Sequence, residues 1–346
     1  MTKINFITPT VSVGGIQSVV LRLCKAFSDN GHRVNIFSFE SKGLMKEELE
    51  DNNVSVKILN LTKLKGDVKL LFGFPWLVWN LYKVRNETFI ATSGLSSALA
   101  IILSTISKSN KFYIILDNDI TASEKIHHKI YNKFIMKFSY KLNGVVFTYN
   151  LARRNFERLD YKKPDKVKII HNPVDNNFTV HDKKEYDFIF VGRMSKEKAP
   201  EVFVRCLKKV NNRNGIMLGS GELEGKIKHS LHDTKNINYI GYTKNVSYYM
   251  KKSSCLVLTS IFEGCSGVVK EALSLGIPCI VSNVKSKAPF EMINYGEFGE
   301  IYFNENDLIE KMKSFNPMKY DKERMIQHSK KFHIEYVISE YLDLIN

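Results

Sequence analysis

Residues 260–281 constrain the fold more than any other stretch, because they contain a loop, a helix and the start of a strand in immediate succession. The apolar run at residues 255–258 before them predicts a buried strand. The helix after the loop has an apolar face formed by Val268, Val269, Ala272 and Leu273. Gly276 and Pro278 end it, and residues 279–281 begin another buried strand. The polar loop therefore follows the carboxyl end of a strand, where open parallel sheets bind ligands.

Two carboxylates mark this unit, Glu263 in the loop and Glu271 in the helix. Full helical spacing would separate them by roughly 12 Å, at about 1.5 Å per residue, so an extended nucleotide sugar could contact both. Between them, the backbone N–H groups of residues 264–267 precede a helix and suit a diphosphate. The alternative is that Glu271 is an ordinary first-turn glutamate favoured by the helix dipole.

A second cluster follows the strand predicted at residues 187–191, where Gly192, Arg193 and Lys198 occur. A guanidinium fork and an ammonium group together suit a diphosphate, and Gly192 leaves room for the backbone to approach it. The alternative is two surface cations in a chain that contains 51 lysines and arginines. The sequence IMLGSG at residues 216–221 contains two further glycines, Gly219 and Gly221.

The amino-terminal half begins with a predicted strand at residues 4–7, a helix at 16–29 and a strand at 34–39. Gly14 and Gly15 precede this helix, and glycine lets a backbone come close to a ligand. The pattern is not G-x-G-x-x-G, so a dinucleotide fingerprint is not supported. A turn without a ligand is the alternative.

Taken together, EGCSGVVKEALSLGIP and the upstream Gly-Arg…Lys pattern resemble the motifs of retaining glycosyltransferases of family 4, also called glycosyl transferases group 1. The resemblance extends over nearly the whole chain and implies the GT-B fold, an α/β architecture of two Rossmann-like, doubly wound domains facing a cleft. We expect an acceptor-binding domain at residues 1–175 and a nucleotide-sugar-binding domain at 176–325. Residues 326–346 are expected to pack back on the first domain, within a helix predicted at about residues 320–345.

The resemblance also implies roles for individual residues. Arg193 and Lys198 would stabilise the leaving diphosphate, Glu263 would hold the sugar, and Glu271 would hold the ribose hydroxyls. Backbone amides near Ser266, Gly267 and Val268 would bind phosphate or sugar oxygens. Glycines of the family's donor site correspond to Gly15, Gly192 and Gly219.

One family feature is missing from the first domain. Family members often carry a histidine beside the reacting sugar, at the end of the strand predicted here at residues 111–116. This chain has Asp117, Asn118 and Asp119 there. Either Asp117 or Asp119 takes that role, or the two carboxylates only cap a helix and form a turn.

The resemblance predicts no cofactor and no required metal, because Arg193 and Lys198 supply the charge that a metal otherwise would. The donor would be a nucleotide diphosphate sugar, with UDP as the expected nucleotide. The acceptor would be a glycan or a polyprenyl-diphosphate-linked acceptor, in bacterial surface polysaccharide or glycoconjugate synthesis. A nucleotide-sugar epimerase of the same architecture is the alternative enzyme, and a sugar- or polyanion-binding module is the alternative without catalysis.

A formal net charge of +15 predicts an acidic partner. No zinc-finger or RRM-like pattern supports nucleic acid. Two basic segments with aromatic residues, 63–85 and 125–141, favour an anionic membrane surface, and the second has an apolar stripe partly expected to cover the core. Solvated lysines on core helices are the alternative. The five cysteines have no Cys-x-x-Cys spacing, and no signal peptide or membrane-spanning run is apparent, so we expect a cytoplasmic protein peripheral to the inner face of the membrane.

Overall fold

The computed structural model describes residues 2–10, 15–40, 54–58, 68–81, 84–92, 94–121, 126–175 and 183–346. Its contacts divide the chain into two compact units. The N-terminal unit comprises Met1–Pro173 and Ile334–Asn346, and the C-terminal unit comprises Val174–His333. Gly14 lies outside the described residues, as do parts of the two basic segments, including Lys63, Lys65, Lys83 and Lys125.

The N-terminal unit is built on a seven-stranded sheet in which every pairing is parallel. Its strands are β1 (Lys3–Thr10), β2 (Arg33–Glu40), β3 (Ser55–Ile58), β4 (Thr88–Thr92), β5 (Lys111–Leu116), β6 (Gly144–Phe147) and β7 (Lys166–Ile169). They lie in the order β3-β2-β1-β4-β5-β6-β7. All five residues of β4 are buried, as expected of a central parallel strand covered on both faces.

Helices connect these strands, as parallel pairing requires. Those described in the N-terminal unit before Pro173 are α1 (Gly15–Asp29), α2 (Val68–Leu81), α3 (Gly94–Ile106), α4 (Ile126–Phe138) and α5 (Asn150–Glu157). Helix α2 lies within the basic segment 63–85 and contains Pro75, so the segment includes a helix, as the alternative interpretation of solvated lysines on a core helix assumed. Trp76 of α2 packs on Phe37 with the ring centroids 5.9 Å apart, whereas the side chain of Trp79 is 74% exposed.

The C-terminal unit contains a six-stranded parallel sheet in the order β10-β9-β8-β11-β12-β13. Its strands are β8 (Tyr186–Val191), β9 (Gly215–Leu218), β10 (Ile237–Gly241), β11 (Ser253–Leu258), β12 (Cys279–Ser282) and β13 (Gly299–Tyr302). From β8 the chain builds the sheet outward through β9 and β10 on one side, and from β11 it builds outward through β12 and β13 on the other. The switch point of this doubly wound sheet therefore lies between β8 and β11, where such folds bind ligands at the carboxyl ends of the strands.

The α-helices of the C-terminal unit are mostly short. They are α6 (Pro200–Leu207), α7 (Glu224–Ser230), α8 (Val246–Lys251), α9 (Gly267–Ser274), α10 (Ala288–Met292), α11 (Glu305–Ser314) and α12 (Lys322–Ser329). Helix α9 ends where the sequence predicted, because Gly276 adopts φ +66° and its N–H donates to the Leu273 carbonyl.

The last helix, α13 (Ile334–Ile345), belongs to the N-terminal unit and contributes Val337, Tyr341 and Leu344 to its core. Lys111 Nζ donates to the Ile345 carbonyl at 2.7 Å, so a cation caps the negative end of the helix dipole. The prediction of one helix over residues 320–345 is wrong. A 3₁₀ turn at Lys330–Phe332 and the extended backbone of His333 separate α12 from α13.

Candidate functional site

Two segments meet at the switch point of the C-terminal sheet. Residues 192–199 follow β8, and residues 259–266 follow β11, its immediate neighbour. Both begin at the carboxyl ends of parallel strands, so the two sets of side chains predicted from sequence emerge at one edge. The structure thereby brings together Lys198 and Glu263, which are 65 residues apart in the chain.

Lys198 and Glu263 form the central contact of this site. The Lys198 Nζ donates to Glu263 Oε1 at 2.5 Å, and the hydroxyl of Ser260 donates to the same oxygen at 2.7 Å. The side chain of Glu263 is 6% exposed and that of Lys198 is 27% exposed. A nearly buried carboxylate is thus held by two donors, while its cationic partner keeps contact with solvent. Sequence reasoning missed Ser260, although its position three residues before Glu263 was available as a signal.

Backbone contacts fix the two segments to each other. Thr259 Oγ1 donates to the carbonyls of Lys198 and Ala199, at 2.9 and 3.0 Å. The Ile261 N–H donates to the Glu197 carbonyl at 2.8 Å. Ala199 adopts φ +45°, an uncommon conformation for alanine, immediately before α6. These contacts fix the backbone position of Lys198, which limits the positions that its ammonium group can reach.

Glycines bring the ends of β8 and β9 into direct contact. Gly219 adopts φ +127°, and a Cβ added there would lie 1.9 Å from the Gly192 carbonyl oxygen. Gly221 is similar, since its Cβ would lie 2.6 Å from the Met194 carbonyl oxygen. Tyr239 Oη supports this turn by donating to the Gly219 carbonyl at 2.7 Å. Gly192 and Gly219 therefore fit together directly beside Arg193.

Tyr239 and its neighbours form the outer support of the glycine turn. Burial is the main factor that raises the pKa of Tyr239 to about 12, and the nearby Glu224 carboxylate adds to it. Glu224 itself is paired with Lys228 at 2.8 Å. The phenol therefore stays protonated at neutral pH and remains a hydrogen-bond donor.

Arg193 differs from Lys198 in its surroundings. Its side chain is exposed, and within the part of the chain that the structure describes it makes no ion pair. An exposed guanidinium beside a packed glycine turn is available to a ligand without first breaking an internal contact.

The start of α9 presents backbone N–H groups beside Glu263. Ser266 is buried and extended, Gly267 begins the helix, and a Cβ at Gly267 would meet no heavy atom within 4 Å. Val268 is half-buried, so the buried face of the helix is formed by Val269, Lys270, Ala272, Leu273 and Ser274. Lys270 was missed in the sequence; its Nζ lies 5.8 Å from the centre of the Phe332 ring.

Glu271 is half-buried and is the fifth residue of α9, so it is not in the first turn. The alternative interpretation as a first-turn glutamate is therefore wrong. Nearby, burial lowers the pKa of Lys331, and the charges of Glu291 and Cys265 partly offset that effect. The loop that contains Glu263 is thus bordered by a partly desolvated cation.

The N-terminal unit contributes a different set of groups at the carboxyl edge of its own sheet. Gly15 is the first residue of α1, and the residues immediately before it are not described. Asp117 follows β5 and accepts from the Asn172 amide at 2.9 Å. Asp119 accepts from Asn155 at 2.6 Å and from the Thr121 hydroxyl at 2.6 Å.

Three further observations bear on ligands. Among the described residues, no group of three or more His, Cys, Asp or Glu side chains could hold a metal ion. No described helix is long and apolar enough to cross a membrane. An open depression at the amino ends of β8, β9 and β10 contains none of the predicted site residues, and the 2.7 Å Asp187–Arg213 ion pair lies in its wall.

Comparison with protein families gives two matches that adjoin along the chain. The model described as Glycosyltransferase Family 4 matches residues 13–178, and the model described as Glycosyl transferases group 1 matches residues 173–332. Together they extend from the first βαβ unit to the end of the C-terminal unit.

Three curated proteins illustrate the sequence similarity. An uncharacterised glycosyltransferase of Methanocaldococcus jannaschii is 28% identical over 52% of this chain, which spans only half of that relative. The O-antigen biosynthesis glycosyltransferase WbnH of Escherichia coli is 24% identical, with 100% of this chain and 99% of WbnH covered. An Escherichia coli UDP-Gal:alpha-D-GlcNAc-diphosphoundecaprenol alpha-1,3-galactosyltransferase is also 24% identical, over 79% of this chain and 77% of its own length.

Solved structures agree on the fold. The crystal structure of Anabaena HepE in complex with UDP superposes with a TM-score of 0.80, at 13% identity, over 99% of both chains. At this identity the similarity shows the architecture alone, and it supports no assignment of individual side chains.

Proposed function

This chain belongs to glycosyltransferase family 4 and has the GT-B fold, and we propose from that premise that it transfers a sugar from a UDP sugar to a lipid-linked glycan with retention of anomeric configuration. It is a glycosyltransferase by family, and its full-length relative WbnH is named for O-antigen synthesis. Donor, acceptor and stereochemistry are the parts that we propose.

The donor assignment rests on the Lys198–Glu263 contact at the switch point. A diphosphate placed there would meet Lys198, the exposed guanidinium of Arg193 and the N–H groups that begin α9. Glu263 would then be released to accept hydrogen bonds from sugar hydroxyls. UDP is the nucleotide in the name of one Escherichia coli relative and in the Anabaena HepE complex, which favours UDP here.

The proposed chemistry is electrostatic stabilisation of a leaving group. As the bond between the anomeric carbon and the diphosphate oxygen breaks, negative charge grows on the diphosphate, and Arg193 and Lys198 are placed to stabilise it. Glu271, about one turn after the start of α9 at Gly267, would hold the ribose hydroxyls. In the N-terminal unit we assign Asp117 a contact with a substrate hydroxyl near the reacting carbon.

A donor screen tests this function. Purified protein is incubated with a panel of nucleotide sugars and a short polyprenyl-diphosphate-linked glycan, and products are identified by mass spectrometry. We expect one UDP sugar to be consumed, and NMR of the product to show the anomeric configuration of the donor. Inversion would contradict the retaining assignment, and consumption of only a GDP or ADP sugar would contradict the nucleotide.

The reaction is proposed to need no metal, because two cations are available at the leaving group. Activity should survive excess EDTA. If EDTA abolished turnover and manganese restored it, the charge at the diphosphate would have to come from a metal, and the Asp117–Asn118–Asp119 segment would be the first place to search.

The acceptor proposal includes contact of the N-terminal unit with an anionic membrane. On α4, the side chains of Lys129, Lys133 and Lys137 are exposed. Ile130 is 64% exposed, Phe134 and Phe138 are half-buried, and Ile135 is buried. Much of the predicted apolar stripe therefore lies at the surface beside lysines, which suits adsorption to anionic lipid. A lipid-linked acceptor, as in the name of the galactosyltransferase relative, would make such contact useful.

Neither alternative function gains support. The family matches point to glycosyl transfer rather than to epimerisation or to sugar binding without catalysis. Release of free UDP together with a glycosylated acceptor would distinguish transfer from both, since an epimerase would return an isomeric UDP sugar.

A further inference from the structure

We propose that Ser260 and Ser282 are positioning residues, which together aim the second oxygen of the Glu263 carboxylate at the sugar of the donor. Neither serine is expected to touch the substrate. Because Glu263 is assigned to the sugar hydroxyls only in the proposed function, the roles of both serines rest on that function. They add two buried hydroxyl groups that the proposed chemistry does not use.

The two carboxylate oxygens of Glu263 have different surroundings. Oε1 accepts from Lys198 Nζ at 2.5 Å and from the Ser260 hydroxyl at 2.7 Å. Within the part of the chain that the structure describes, Oε2 accepts no hydrogen bond, and it is not enclosed by the protein. A carboxylate that is anchored through one oxygen can offer the other to a ligand, in a direction that the two donors set.

Ser260 is held at its backbone as well as at its hydroxyl. It lies two residues beyond the end of β11, and its carbonyl accepts from the Ser282 hydroxyl at 2.7 Å. The parallel ladder between β11 and β12 has its last residue pair at Leu258 and Val281. Ser282 Oγ therefore supplies a further hydrogen bond beyond that last pair, and it fixes the backbone that carries the Ser260 hydroxyl.

Burial and the neighbouring strand keep Ser282 in place. Ser260 is 2% exposed and Ser282 is 7% exposed, so water has little access to either hydroxyl. Ser282 is paired with Tyr302 of β13 in the sheet, and the N–H of the next residue, Asn283, donates to the Tyr302 carbonyl at 3.0 Å. Strand β13 thus fixes the backbone of Ser282. In turn, Ser282 fixes Ser260, and Ser260 orients Glu263.

Thr259 has the corresponding role on the other side of the ion pair. Its hydroxyl donates to the carbonyls of Lys198 and Ala199, at 2.9 and 3.0 Å. The hydroxyls of two consecutive residues after β11 therefore hold the two partners, Thr259 through the segment that carries Lys198 and Ser260 through the Glu263 carboxylate itself.

A simpler role for the two serines is to stabilise the end of β12 without any effect on the orientation of Glu263. Loss of a hydroxyl would then weaken the binding of every ligand at this edge of the sheet. Positioning predicts a narrower loss, confined to the sugar, because UDP alone presents no sugar to Glu263.

The test compares UDP with the UDP sugar of the donor panel that binds most tightly, by calorimetry without acceptor. Ser260→Ala should weaken binding of the UDP sugar about tenfold, the scale of one hydrogen bond to a charged group, and should change UDP binding by less than about twofold. With acceptor present, kcat should also fall by about tenfold or more. Unchanged binding of the UDP sugar, or an equal loss for UDP and the UDP sugar, would overturn the proposal.

Ser282→Ala tests whether Ser282 acts through Ser260. It should weaken binding of the UDP sugar by about threefold to tenfold in the wild-type background, and by less than about twofold in the Ser260→Ala background. Ser282→Thr keeps the hydroxyl and should restore the wild-type affinity. Equal losses in the two backgrounds, or a loss in Ser282→Thr as large as in Ser282→Ala, would contradict a role for this hydroxyl in orienting Glu263.

Ser253→Ala is the matched control. Ser253 is the first residue of β11, it is buried, and its hydroxyl donates to the Tyr249 carbonyl at 2.8 Å, so the same change is made at the amino end of the same strand. Binding of both ligands should stay within about twofold. A selective loss of UDP-sugar affinity in Ser253→Ala as well would assign the effect to loss of any buried hydroxyl and would refute positioning.

Failure of the proposed function gives a different result. The wild-type protein would then transfer no sugar to any acceptor in the screen. A selective loss of UDP-sugar affinity in Ser260→Ala would still be measured, because calorimetry needs no acceptor. Conversely, normal transfer by both Ser260→Ala and Ser282→Ala would refute the positioning role and leave the proposed function intact.

Discussion

The carboxyl edges of the two sheets are constructed in different ways, although both sheets are parallel and doubly wound. In the C-terminal unit, residues after β8 and β11 are locked by backbone contacts, with Gly219 against Gly192 and a buried Glu263 bound to Lys198. In the N-terminal unit, the described polar groups are joined by side-chain hydrogen bonds between residues distant in sequence, such as Asn172–Asp117. The C-terminal edge is therefore rigid, because close backbone contacts fix it, whereas the described N-terminal edge is held by side-chain hydrogen bonds.

A glycosyltransferase must bind both a leaving nucleotide and an acceptor, and the two kinds of sheet edge suit these two tasks. The leaving nucleotide is the same in every turnover, so its site gains from preorganised charge. An acceptor-binding surface must instead suit one glycan among many, and side chains on loops can be exchanged without disturbing the sheet. We therefore expect substitutions at the C-terminal edge to have larger effects than substitutions in the N-terminal unit.

The largest effect is expected from Gly219→Ala. The new Cβ would meet the Gly192 carbonyl oxygen at 1.9 Å with φ at +127°, so the ends of β8 and β9 must separate. We expect a loss of about 3 kcal/mol, the upper end for strained backbone positions, confined to the C-terminal unit. Amide hydrogen exchange of peptides from each unit measures this separately.

Gly267→Ala is the matched stability control, because a Cβ there meets nothing within 4 Å and the residue begins a helix. Its stability should be unchanged or higher by up to about 1 kcal/mol. If both substitutions destabilised the C-terminal unit equally, the close contact between Gly192 and Gly219 would not be what defines the rigid edge.

Next in size is the loss of the cations. Arg193→Ala and Lys198→Ala should each lower turnover about a hundredfold or more, since one such donor typically contributes about 2.7–4 kcal/mol to the transition state. The control is Lys196→Ala, an exposed lysine of the same segment, which should remain within about threefold. Near-normal turnover of both Arg193→Ala and Lys198→Ala would remove the diphosphate from this edge.

Stability distinguishes the two cations from each other. Lys198→Ala removes one of two donors to a side chain that is only 6% exposed, so it should cost about 1–3 kcal/mol in the free energy of unfolding. Arg193→Ala breaks no described ion pair and should cost little.

Much of the C-terminal edge could be predicted from sequence, because its signals are local. The loop after β11, the helix with Glu271 and the ending at Gly276 all lie within one short stretch of chain. The pairing of Lys198 with Glu263 and the contact of Gly219 with Gly192 could not be derived from spacing, since both join segments far apart in sequence. Such contacts depend on strand order, which only the folded sheet supplies.

The N-terminal unit was less predictable for a related physical reason. Strand β3 is a short edge strand with an alternating exposed pattern, and α2 contains a proline, so neither gives a strong periodic signal. The sequence also left Asp117 and Asp119 equivalent. Their different partners are Asn172, which lies beyond β7, and Asn155 of α5, and no local pattern connects either to the triplet.

The predicted membrane contact involves the N-terminal unit, through the exposed lysines of α4. Charge reversal of Lys129, Lys133 and Lys137 to glutamate should weaken binding to anionic vesicles by at least about a hundredfold, because each lysine lost costs about 1 kcal/mol and the new carboxylates are repelled. Binding of the wild-type protein should fall with added salt as the Debye length shrinks. Reversal of three exposed lysines of the C-terminal unit, Lys208, Lys209 and Lys235, changes net charge equally and is the control.

Vesicle co-sedimentation at matched protein and lipid concentrations gives both results. Equal loss in the two triple variants would mean that net charge, and not the α4 surface, drives adsorption. Equal binding of the wild-type protein to neutral and anionic vesicles would show that the lysines are solvated side chains without a membrane role.

Glu263→Gln is expected to have a smaller effect, and to change UDP binding and turnover in opposite directions. In the absence of donor, Glu263 neutralises Lys198 and so competes with the diphosphate for it. Removing that charge should tighten binding of UDP alone by about tenfold, roughly 1.4 kcal/mol. Turnover should fall by a similar factor, because a carboxylate proposed to hold the sugar is lost. Glu197→Gln is the control, since its exposed carboxylate lies 3.9 Å from Lys198 and should matter little. Calorimetry showing weaker UDP binding in Glu263→Gln would refute this competition.

The smallest effect concerns pH and again should be confined to the C-terminal unit. Burial, with a contribution from the Lys331 charge, lowers the pKa of His328, and the Met292 carbonyl and Glu297 only partly oppose this. The folded state therefore binds fewer protons than the unfolded state as pH falls through about 6.5, the ordinary value for histidine. Because stability rises with pH wherever the unfolded state binds more protons, it should decline below about pH 6.5, by less than about 1.4 kcal/mol per pH unit. The side chain of Gln in His328→Gln cannot titrate, but its amide can still donate to the Met292 carbonyl. The free energy of unfolding of this variant should therefore vary less than that of the wild-type protein between pH 7.5 and 5.5, about one pH unit on either side of the ordinary histidine pKa. Hydrogen exchange measures the stability of each unit separately. If acid lowered protection equally in both units, in the wild-type protein and in His328→Gln alike, the acid sensitivity would belong to groups other than His328.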